Sequence, residues 1–478
     1  MIKLGENYST LRTSQINMTA PRADVDLLKK YSVPGPRYTS YPSAPVFSQE
    51  FSTEEYLSEI RDTNQPGENS PISVYVHLPY CDTLCYFCGC TMKVTSDATQ
   101  ITAYNQYLKK EIGTIAKMVS PARKVSQLHW GGGTPSYLSA EDIGDLGGFL
   151  KSVFAYADDV EAGVEIDPRG LTKGRMEAFR EAGFNRTSMG VQDFDPEVQK
   201  AVNRIQSEKI TRDAVDWSRE LGFRSVNIDL IYGLPHQTVE EFARTVDTVI
   251  GLSPDRLAVF NYAHVPWLKP HQKVLDEISL PPPGEKLEIF CMTLEKLIGA
   301  GYENVGMDHF ARPDDELAIA RRNGTLYRNF QGYSTKAGCD LYAFGMSAIS
   351  FLGGVYHQNL KSLRGYFAQI DRGRIPTHAG YRMTPDDVIR RDVIMKIMCD
   401  NEVMKNDIAG RYGISFDDYF RGALQKLGPF TADGLIELKT DRIIITPVGR
   451  LIVRNIAMCF DPHLETLRKD TPIFSKTV

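Results

Sequence analysis

The chain has 478 residues, which exceeds a typical single domain and predicts one large unit with at least one smaller domain. Hydrophobic residues make up 42% of it and charged residues 24%, the balance of a soluble globular protein. The formal net charge of −5 argues against general affinity for nucleic acid or an anionic membrane. The sequence has no apolar run long enough to span a bilayer and no apolar signal core near its start, so we expect a cytoplasmic location and no membrane partner.

An N-terminal extension is predicted over residues 1–70. It starts with a loose polar leader, and SVPGPRYTSYPSAP (32–45) follows, whose proline and glycine content predicts an extended or turned segment. From residue 71 short β-branched runs alternate with amphipathic helical patterns, which indicates a parallel sheet and a full or partial β/α barrel. The predicted strands are 72–79, 126–132, 162–168, 186–192, 225–233 and 255–264.

The loop after the first predicted strand concentrates cysteine. HLPYCDTLCYFCGC (77–90) has the spacing CxxxCxxCxC, whereas zinc sites usually add a second, distant pair of ligands. Thiolates select soft metals and iron–sulfur clusters, so Cys81, Cys85 and Cys88 are predicted to hold three irons of a 4Fe–4S cluster. The fourth iron then stays open for S-adenosylmethionine. If Cys90 bound the fourth iron, the cluster would be fully ligated and would serve electron transfer, which remains an alternative. Only one residue separates Cys90 from Cys88, however, and this is a short spacing for two ligands at different corners of one cluster.

Other polar or glycine-rich segments follow the predicted strands. HWGGGTP (129–135) ends the second strand, and its glycines allow a ligand to approach the backbone closely. In a barrel, chemistry takes place where the strands end, so these side chains are expected to line one polar cavity. They are Glu165, Asp167, Gln192, Asp193, Asp229, Asn261 and His264.

After about residue 300 the regular alternation of strand and helix patterns ends. Residues 303–350 are predicted to be loop with short elements, and the catalytic domain is placed at 71–380. Helical stretches at 385–400 and 405–427 precede a β-hairpin at 434–451, so residues 381–478 are predicted to form a smaller, mainly helical, winged-helix-like domain. The four remaining cysteines are expected to be buried small hydrophobic residues: Cys291, Cys339, Cys399 and Cys459.

These motifs resemble the radical S-adenosylmethionine superfamily and, more narrowly, the oxygen-independent coproporphyrinogen III oxidases. The resemblance runs from about residue 31 to the C-terminus. It rests on PGPRYTSYP (34–42), YVHLPYCDTLCYFCGC (75–90), HWGGGTP (129–135), EIDPR (165–169), NRTSMGVQDF (185–194), NIDLIYGLP (227–235), FNYAH (260–264), GMDHFARPDDELA (306–318), RNFQGY (328–333) and RNIAMCFD (454–461).

The resemblance implies a partial β/α barrel, an N-terminal extension and a C-terminal domain that covers the substrate site. It also implies two S-adenosylmethionine molecules. The first, on the cluster, would contact Tyr75, Gly132, Glu165 and Ile349, of which Tyr75 and Glu165 are the expected catalytic residues. The second would contact Phe87, Gly133, Thr134, Gln192, Arg204, Asp229 and Ala263.

The implied activity is that of an oxidoreductase of porphyrin and heme biosynthesis, which decarboxylates two propionates of coproporphyrinogen III to vinyl groups and gives protoporphyrinogen IX. The implied partners are this substrate and an electron donor such as a flavodoxin or ferredoxin, with the chain a monomer. Four substrate carboxylates call for arginines, and Arg37, Arg312 and Arg328 lie in the family motifs.

Two other functions compete with this interpretation. A heme chaperone of the same superfamily would lack the fourth cysteine and the PRYTSYP segment, and both are present. An iron–sulfur regulator would bind DNA through the winged-helix-like part, which the acidic charge balance opposes.

Overall fold

The computed structural model describes residues 25–275, 279–467 and 472–477. Its helices are α1 Val25–Lys30, α2 Thr53–Asp62, α3 Ala98–Ala116, α4 Ala140–Val153, α5 Lys173–Glu181, α6 Pro196–Ala201, α7 Glu208–Glu220, α8 Val239–Leu252, α9 Pro283–Gly299, α10 Glu316–Arg322, α11 Leu363–Asp371, α12 Pro385–Asp400, α13 Lys405–Tyr412, α14 Phe416–Tyr419, α15 Arg421–Lys426, α16 Gly428–Ala432, α17 Val453–Met458 and α18 His463–Thr466. In this described part, no helix combines the length and the apolar character needed to cross a bilayer.

The strands are β1 Ile72–Leu78, β2 Tyr80–Cys81, β3 Lys93–Val94, β4 Val125–Gly132, β5 Tyr156–Ile166, β6 Arg186–Gln192, β7 Ser225–Tyr232, β8 Arg256–Asn261, β9 Glu303–Gly306, β10 His309–Ala311, β11 Tyr327–Asn329, β12 Gly332–Ser334, β13 Asp340–Phe344, β14 Ile349–Leu352, β15 Val355–Asn359, β16 Thr377–Arg382, β17 Glu402–Met404, β18 Ile436–Leu438 and β19 Arg442–Ile445.

Twelve strands form one sheet in the order β16-β15-β14-β13-β1-β4-β5-β6-β7-β8-β10-β9. Strands β13, β1 and β4 to β8 run parallel, and antiparallel strands extend both ends. The sheet therefore confirms the predicted partial β/α barrel and all six predicted strands. The expectation of loop with short elements at 303–350 is confirmed, and the elements are β9 to β13, α10 and the start of β14, each too short to show a clear period in the sequence.

Side-chain caps start the helices that follow the barrel strands. Ser139, Thr172, Ser207 and Thr238 each accept a hydrogen bond from the backbone N–H three residues later, at the first turns of α4, α5, α7 and α8. Such a cap stabilises a helix by about 1 kcal/mol relative to alanine. The caps fix where each strand-to-helix loop ends and so help to define the rim of the barrel.

The molecule has two large hydrophobic cores. The first lies between the barrel sheet and its helices and includes the fully buried Trp130. The second joins residues of the N-terminal segment, among them Leu28 and Tyr38, to helices of the C-terminal region such as α12 and α17. We call the elements α12 to α18 with β17 to β19 the cap.

The cap confirms the predicted hairpin, since β18 and β19 pair antiparallel, and β17 adds a third strand. The predicted helical stretch at 405–427 is confirmed. It breaks into α13, α14 and α15 after Gly413, which has a φ of 66° and ends α13 in the left-handed conformation. Of the four scattered cysteines, Cys399 is fully buried and the other three are partly exposed.

Candidate functional site

The cysteine loop lies at the carboxyl end of β1, held by two neighbouring segments. Asn203 donates to the carbonyl of Leu84 at 2.8 Å, and Tyr86 N–H donates to the carbonyl of Val202 at 3.0 Å. From the other side, Gln272 Nε2 donates to the carbonyls of both Phe87 and Ala263. These bonds fix the backbone of the loop and bring Phe87 next to Ala263, as expected for two contacts of one ligand.

All three predicted cluster cysteines accept hydrogen bonds at sulfur. The donors are Thr134 Oγ1 to Cys81 at 3.1 Å, Arg169 Nη2 and Arg204 Nη1 to Cys85 at 3.4 and 3.6 Å, and Cys90 N–H to Cys88 at 3.4 Å. Donors and positive charge at sulfur favour the thiolates that bind a metal cluster and tune its potential. Within the described ranges, no three His, Cys, Asp or Glu side chains are grouped as a single metal ion requires.

The glycines at the end of β4 are required by close contacts. A Cβ on Gly131 would lie 2.7 Å from the Glu165 carboxylate, and one on Gly133 would lie 2.6 Å from the carbonyl carbon of Pro79. Gly132 has a φ of 111°, and its N–H donates to Glu165 Oε2 at 3.1 Å. The turn thus places bare backbone against the cysteine loop and against Glu165.

Tyr75, His129 and Glu165 lie side by side on the inner face of the barrel. The rings of Tyr75 and His129 are stacked with centroids 6.0 Å apart, and His129 Nε2 lies 3.4 Å from Glu165 Oε1. Burial alone would raise the pKa of Glu165, but His129, the Gly132 N–H and His77 together hold it below its ordinary value. Its side chain keeps 44% of its surface exposed, so an ionised carboxylate is available to a cationic group such as an amine.

A second polar group follows on β5 to β7. Arg204 donates to Asp167 Oδ2 at 3.0 Å and to the carbonyl of Gly190 at 2.5 Å. Asp229 accepts from Asn227 at 2.7 Å and from Ser188 at 3.3 Å, yet burial, with help from the charge of Glu165, raises its pKa to about 7.

Two further predicted contacts have local features of their own. Gln192 has a φ of 72°, and its Oε1 is buried without a hydrogen-bond partner, which suits a site completed by a ligand. Ile349 begins β14, next to the carboxyl end of β13, at the same edge of the sheet as the cysteine loop. No described contact joins its side chain to the other predicted site residues.

The sequence did not single out Arg169, His77 and His129, although each lies inside a quoted motif. His77 Nδ1 lies 3.2 Å from the Tyr75 hydroxyl, and its Nε2 bonds to the carbonyl of Thr91. The alternation of side chains along a strand was the signal that could have identified the two histidines. His77 is two residues from Tyr75 and so lies on the same face of β1, and His129 is the residue of β4 that pairs with Tyr75.

The three candidate arginines have different surroundings. Arg312 donates to Ser253 and to the carbonyl of Pro254 just before β8, at the opposite edge of the barrel, so it is wrong as a propionate ligand. Arg37 pairs with Asp308. Arg328 is 3% exposed and lies over the ring of Tyr333.

The chain is similar to known proteins over most of its length. Residues 75–249 match the family model described as "Radical SAM superfamily", and residues 383–452 match the one described as "HemN C-terminal domain". Curated proteins named oxygen-independent coproporphyrinogen III oxidase are similar over most of the chain. The one from Pseudomonas aeruginosa is 46% identical, covering 96% of this chain and 99% of its own, and the one from Escherichia coli is 46% identical, covering 92% and 95%.

Among solved structures, coproporphyrinogen III oxidase (HemN) from Escherichia coli, described as a radical SAM enzyme, superposes with a TM-score of 0.88 at 44% identity. The match covers 93% of this chain and 100% of that one.

Proposed function

This chain belongs to the oxygen-independent coproporphyrinogen III oxidases, and we propose that it converts two propionates of coproporphyrinogen III to vinyl groups at the site described above. Each conversion removes one hydrogen atom, one carbon dioxide and one electron from a propionate, and the product is protoporphyrinogen IX. One observation carries the assignment to this site: three cysteines with donors at sulfur lie beside an ionised carboxylate and a bare glycine turn.

The enzyme uses a 4Fe–4S cluster and S-adenosylmethionine. Cys81, Cys85 and Cys88 are the residues proposed to hold the cluster, and their fit rests on the donors at sulfur. When bound and reduced, this pair supplies an adenosyl radical, which is able to take a hydrogen atom from an unactivated propionate carbon.

The chain's own residues bind and orient the reactants. Glu165, kept ionised by His129 and the Gly132 N–H, is proposed to accept the amino group of the S-adenosylmethionine on the cluster. Tyr75 stays a neutral phenol, since burial raises its pKa, and stacks on His129 to keep that ring against Glu165. Ile349 and Gly132 complete the proposed contacts.

A second S-adenosylmethionine is proposed at the polar group of β6 and β7. Gln192 has an unused acceptor, and Arg204 is anchored to Asp167. A cationic ligand beside Asp229 would lower its raised pKa and ionise it, so binding would be coupled to release of a proton. Phe87, Gly133, Thr134 and Ala263 complete this proposed site.

We also propose domain boundaries at residues 70 and 380. The chain is proposed to be a cytoplasmic monomer that receives electrons from a flavodoxin or ferredoxin. The winged-helix-like cap is proposed to cover the substrate rather than bind DNA. The heme-chaperone alternative gains nothing from the compared relatives, which carry the oxidase name.

Anaerobic reconstitution with iron and sulfide tests the proposal, followed by incubation with coproporphyrinogen III, a reductant and S-adenosylmethionine. We expect protoporphyrinogen IX, with two molecules each of 5′-deoxyadenosine and carbon dioxide per product. One deoxyadenosine per two decarboxylations would mean that a single cofactor serves both propionates. Heme binding without any porphyrinogen turnover would instead favour the chaperone.

A further inference from the structure

A pocket next to the proposed site contains two arginines whose charge the protein does not neutralise. Its lining comes from the segment after Arg37, the β11–β12 hairpin, β13 to β15 and helix α12. Aromatic and apolar side chains form the walls, among them Phe330, Phe351, Tyr356 and Met395. Arg328 and Arg391 are the two arginines of this lining.

Arg328 is buried with unused donors. It is 3% exposed, and its Nη2 donates to the carbonyl of Arg37 at 3.3 Å, but its Nε and Nη1 have no hydrogen-bond partner. Among the described residues, no carboxylate pairs with it. The guanidinium lies 4.6 Å from the ring centroid of Tyr333, and such a contact leaves the N–H groups in the plane of the guanidinium free.

Arg391 repeats this pattern on α12. Its guanidinium lies over the rings of Phe351 and Tyr327, at 4.9 and 5.8 Å, and it contacts the Tyr327 hydroxyl. Its Nε is buried without a partner, and in the described part of the chain no carboxylate pairs with it. Arg328 is buried and Arg391 is half-buried, with a buried Nε. Leaving cations unpaired in such surroundings is costly, so the two together indicate an anionic ligand.

Strand register places this pocket on the same face as the radical site. Leu341 and Phe351 of the lining pair with each other, and Ala343, two residues beyond Leu341, pairs with Tyr75 of β1. Side chains two residues apart on a strand share a face and are separated by roughly 7 Å. A ligand of tetrapyrrole size can therefore contact both places.

We propose that Arg328 and Arg391 bind carboxylates of the propionates that the reaction leaves intact. This inference rests on the proposed function. Two propionates remain in protoporphyrinogen IX, so groups that hold them select the orientation in which the other two face the cluster. The cavity, about 20 Å³, has room for a group of carboxylate size and not for a tetrapyrrole. The arginines therefore accept a propionate carboxylate there, while the pyrrole framework lies outside the cavity. Cap and barrel both contribute, which makes the cap part of substrate recognition.

Steady-state kinetics of Arg391→Gln test the assignment on anaerobically reconstituted enzyme. We expect KM for coproporphyrinogen III to rise about ten- to a hundredfold, as loss of a charge-assisted hydrogen bond predicts, with a smaller change in kcat. KM for S-adenosylmethionine, whose methionine carboxylate is the other anion available, should stay the same. A rise confined to S-adenosylmethionine would overturn the inference and assign the pocket to that cofactor.

A modified substrate separates recognition from simple packing. Wild-type enzyme should discriminate against a substrate whose two retained propionates are amides. Arg391→Gln should lose much of that discrimination, because one carboxylate then has no charged partner while Arg328 still holds the other. Arg391→Lys should restore part of it. Unchanged discrimination in Arg391→Gln would overturn the proposal. Failure of wild-type enzyme to form protoporphyrinogen IX would instead count against the proposed function.

Arg390→Gln provides the matched control. Arg390 lies on the same helix and over the rings of Tyr419 and Phe420, but it pairs with Asp386 and lines no part of the pocket. If this variant raises KM for the substrate as much as Arg391→Gln does, the effect belongs to the helix, and the inference is wrong. Arg328→Gln should match Arg391→Gln; thermal melting and iron content will show whether it folds.

Discussion

The barrel rim and the pocket under the cap differ in whether their charged side chains have partners within the protein. At the rim, Asp167 is paired with both Arg169 and Arg204, and Glu165 bonds to His129 and Gly132. In the pocket, Arg328 and Arg391 keep donors without partners. The rim is thus organised by the protein itself before any ligand binds, whereas the pocket needs an anion to satisfy it.

The largest effect should come from the rim cysteines. Replacing Cys81, Cys85 or Cys88 with serine should reduce bound iron and sulfide to background after anaerobic reconstitution, because the cluster loses one of three thiolates. Cys90→Ser should retain the cluster, since the backbone N–H that donates to Cys88 is kept and the serine hydroxyl can still hydrogen-bond to it. A normal cluster in any of the first three variants, or none in Cys90→Ser, would contradict the ligand assignment.

The cap should lose stability without loss of the cluster when its link to the N-terminal segment is cut. Asn455 is buried and donates to the carbonyl of Tyr31 at 2.7 Å and to Thr477 Oγ1 at 3.2 Å. Asn455→Ala should cost about 1–3 kcal/mol of unfolding free energy, measured by thermal or denaturant melting. The exposed Asn406→Ala is the control. Loss of iron in Asn455→Ala would show that rim and cap are not separable.

Asp229 is the rim group whose charge is not fully compensated. Its pKa is raised from 3.8 to about 7 in the folded protein. Between these two pH values the folded protein keeps a proton that the unfolded chain has lost, so the free energy of unfolding decreases as the pH rises from about 4 to about 7. Asp229→Asn should therefore stabilise the cofactor-free protein by about 1–2 kcal/mol at pH 8 and have little effect near pH 4. Equal effects at both pH values would contradict the raised pKa.

The smallest effect concerns an ion pair inside the cap. His463 Nε2 lies 2.7 Å from Asp387 Oδ1, a contact that raises the pKa of His463 above 6.5. Its contribution is complete below pH 6.5 and is lost as pH rises through the higher folded pKa. His463→Asn should destabilise the cap by about 0.5–1 kcal/mol at pH 6 and by less at pH 9, as melting at both pH values would show. A larger loss at pH 9 would exclude this ion pair as the cause.

The sequence predicted the rim much better than the pocket. Cys81, Gly132 and Glu165 lie at or just after the ends of strands with strong β-branched patterns, and a barrel brings strand ends together whatever the loop lengths. Arg391 lies on a helix about 300 residues from the cysteine loop, inside no quoted motif, and only the tertiary packing of α12 brings it to β14. Strand β13 was missed because five residues in a glycine-rich stretch carry little periodicity.

The link between the N-terminal segment and the last described residues affects the order of folding. Val33 N–H donates to Thr477 Oγ1 across 444 residues of sequence, and Pro34 forms a bridge with Lys476. Strands β4 to β8 each pair with a barrel strand nearer in sequence, although β1 also pairs with β13, so closing those shorter loops costs less entropy than joining residues 33 and 477. The barrel can thus form while residues 33–37 still lack their partner.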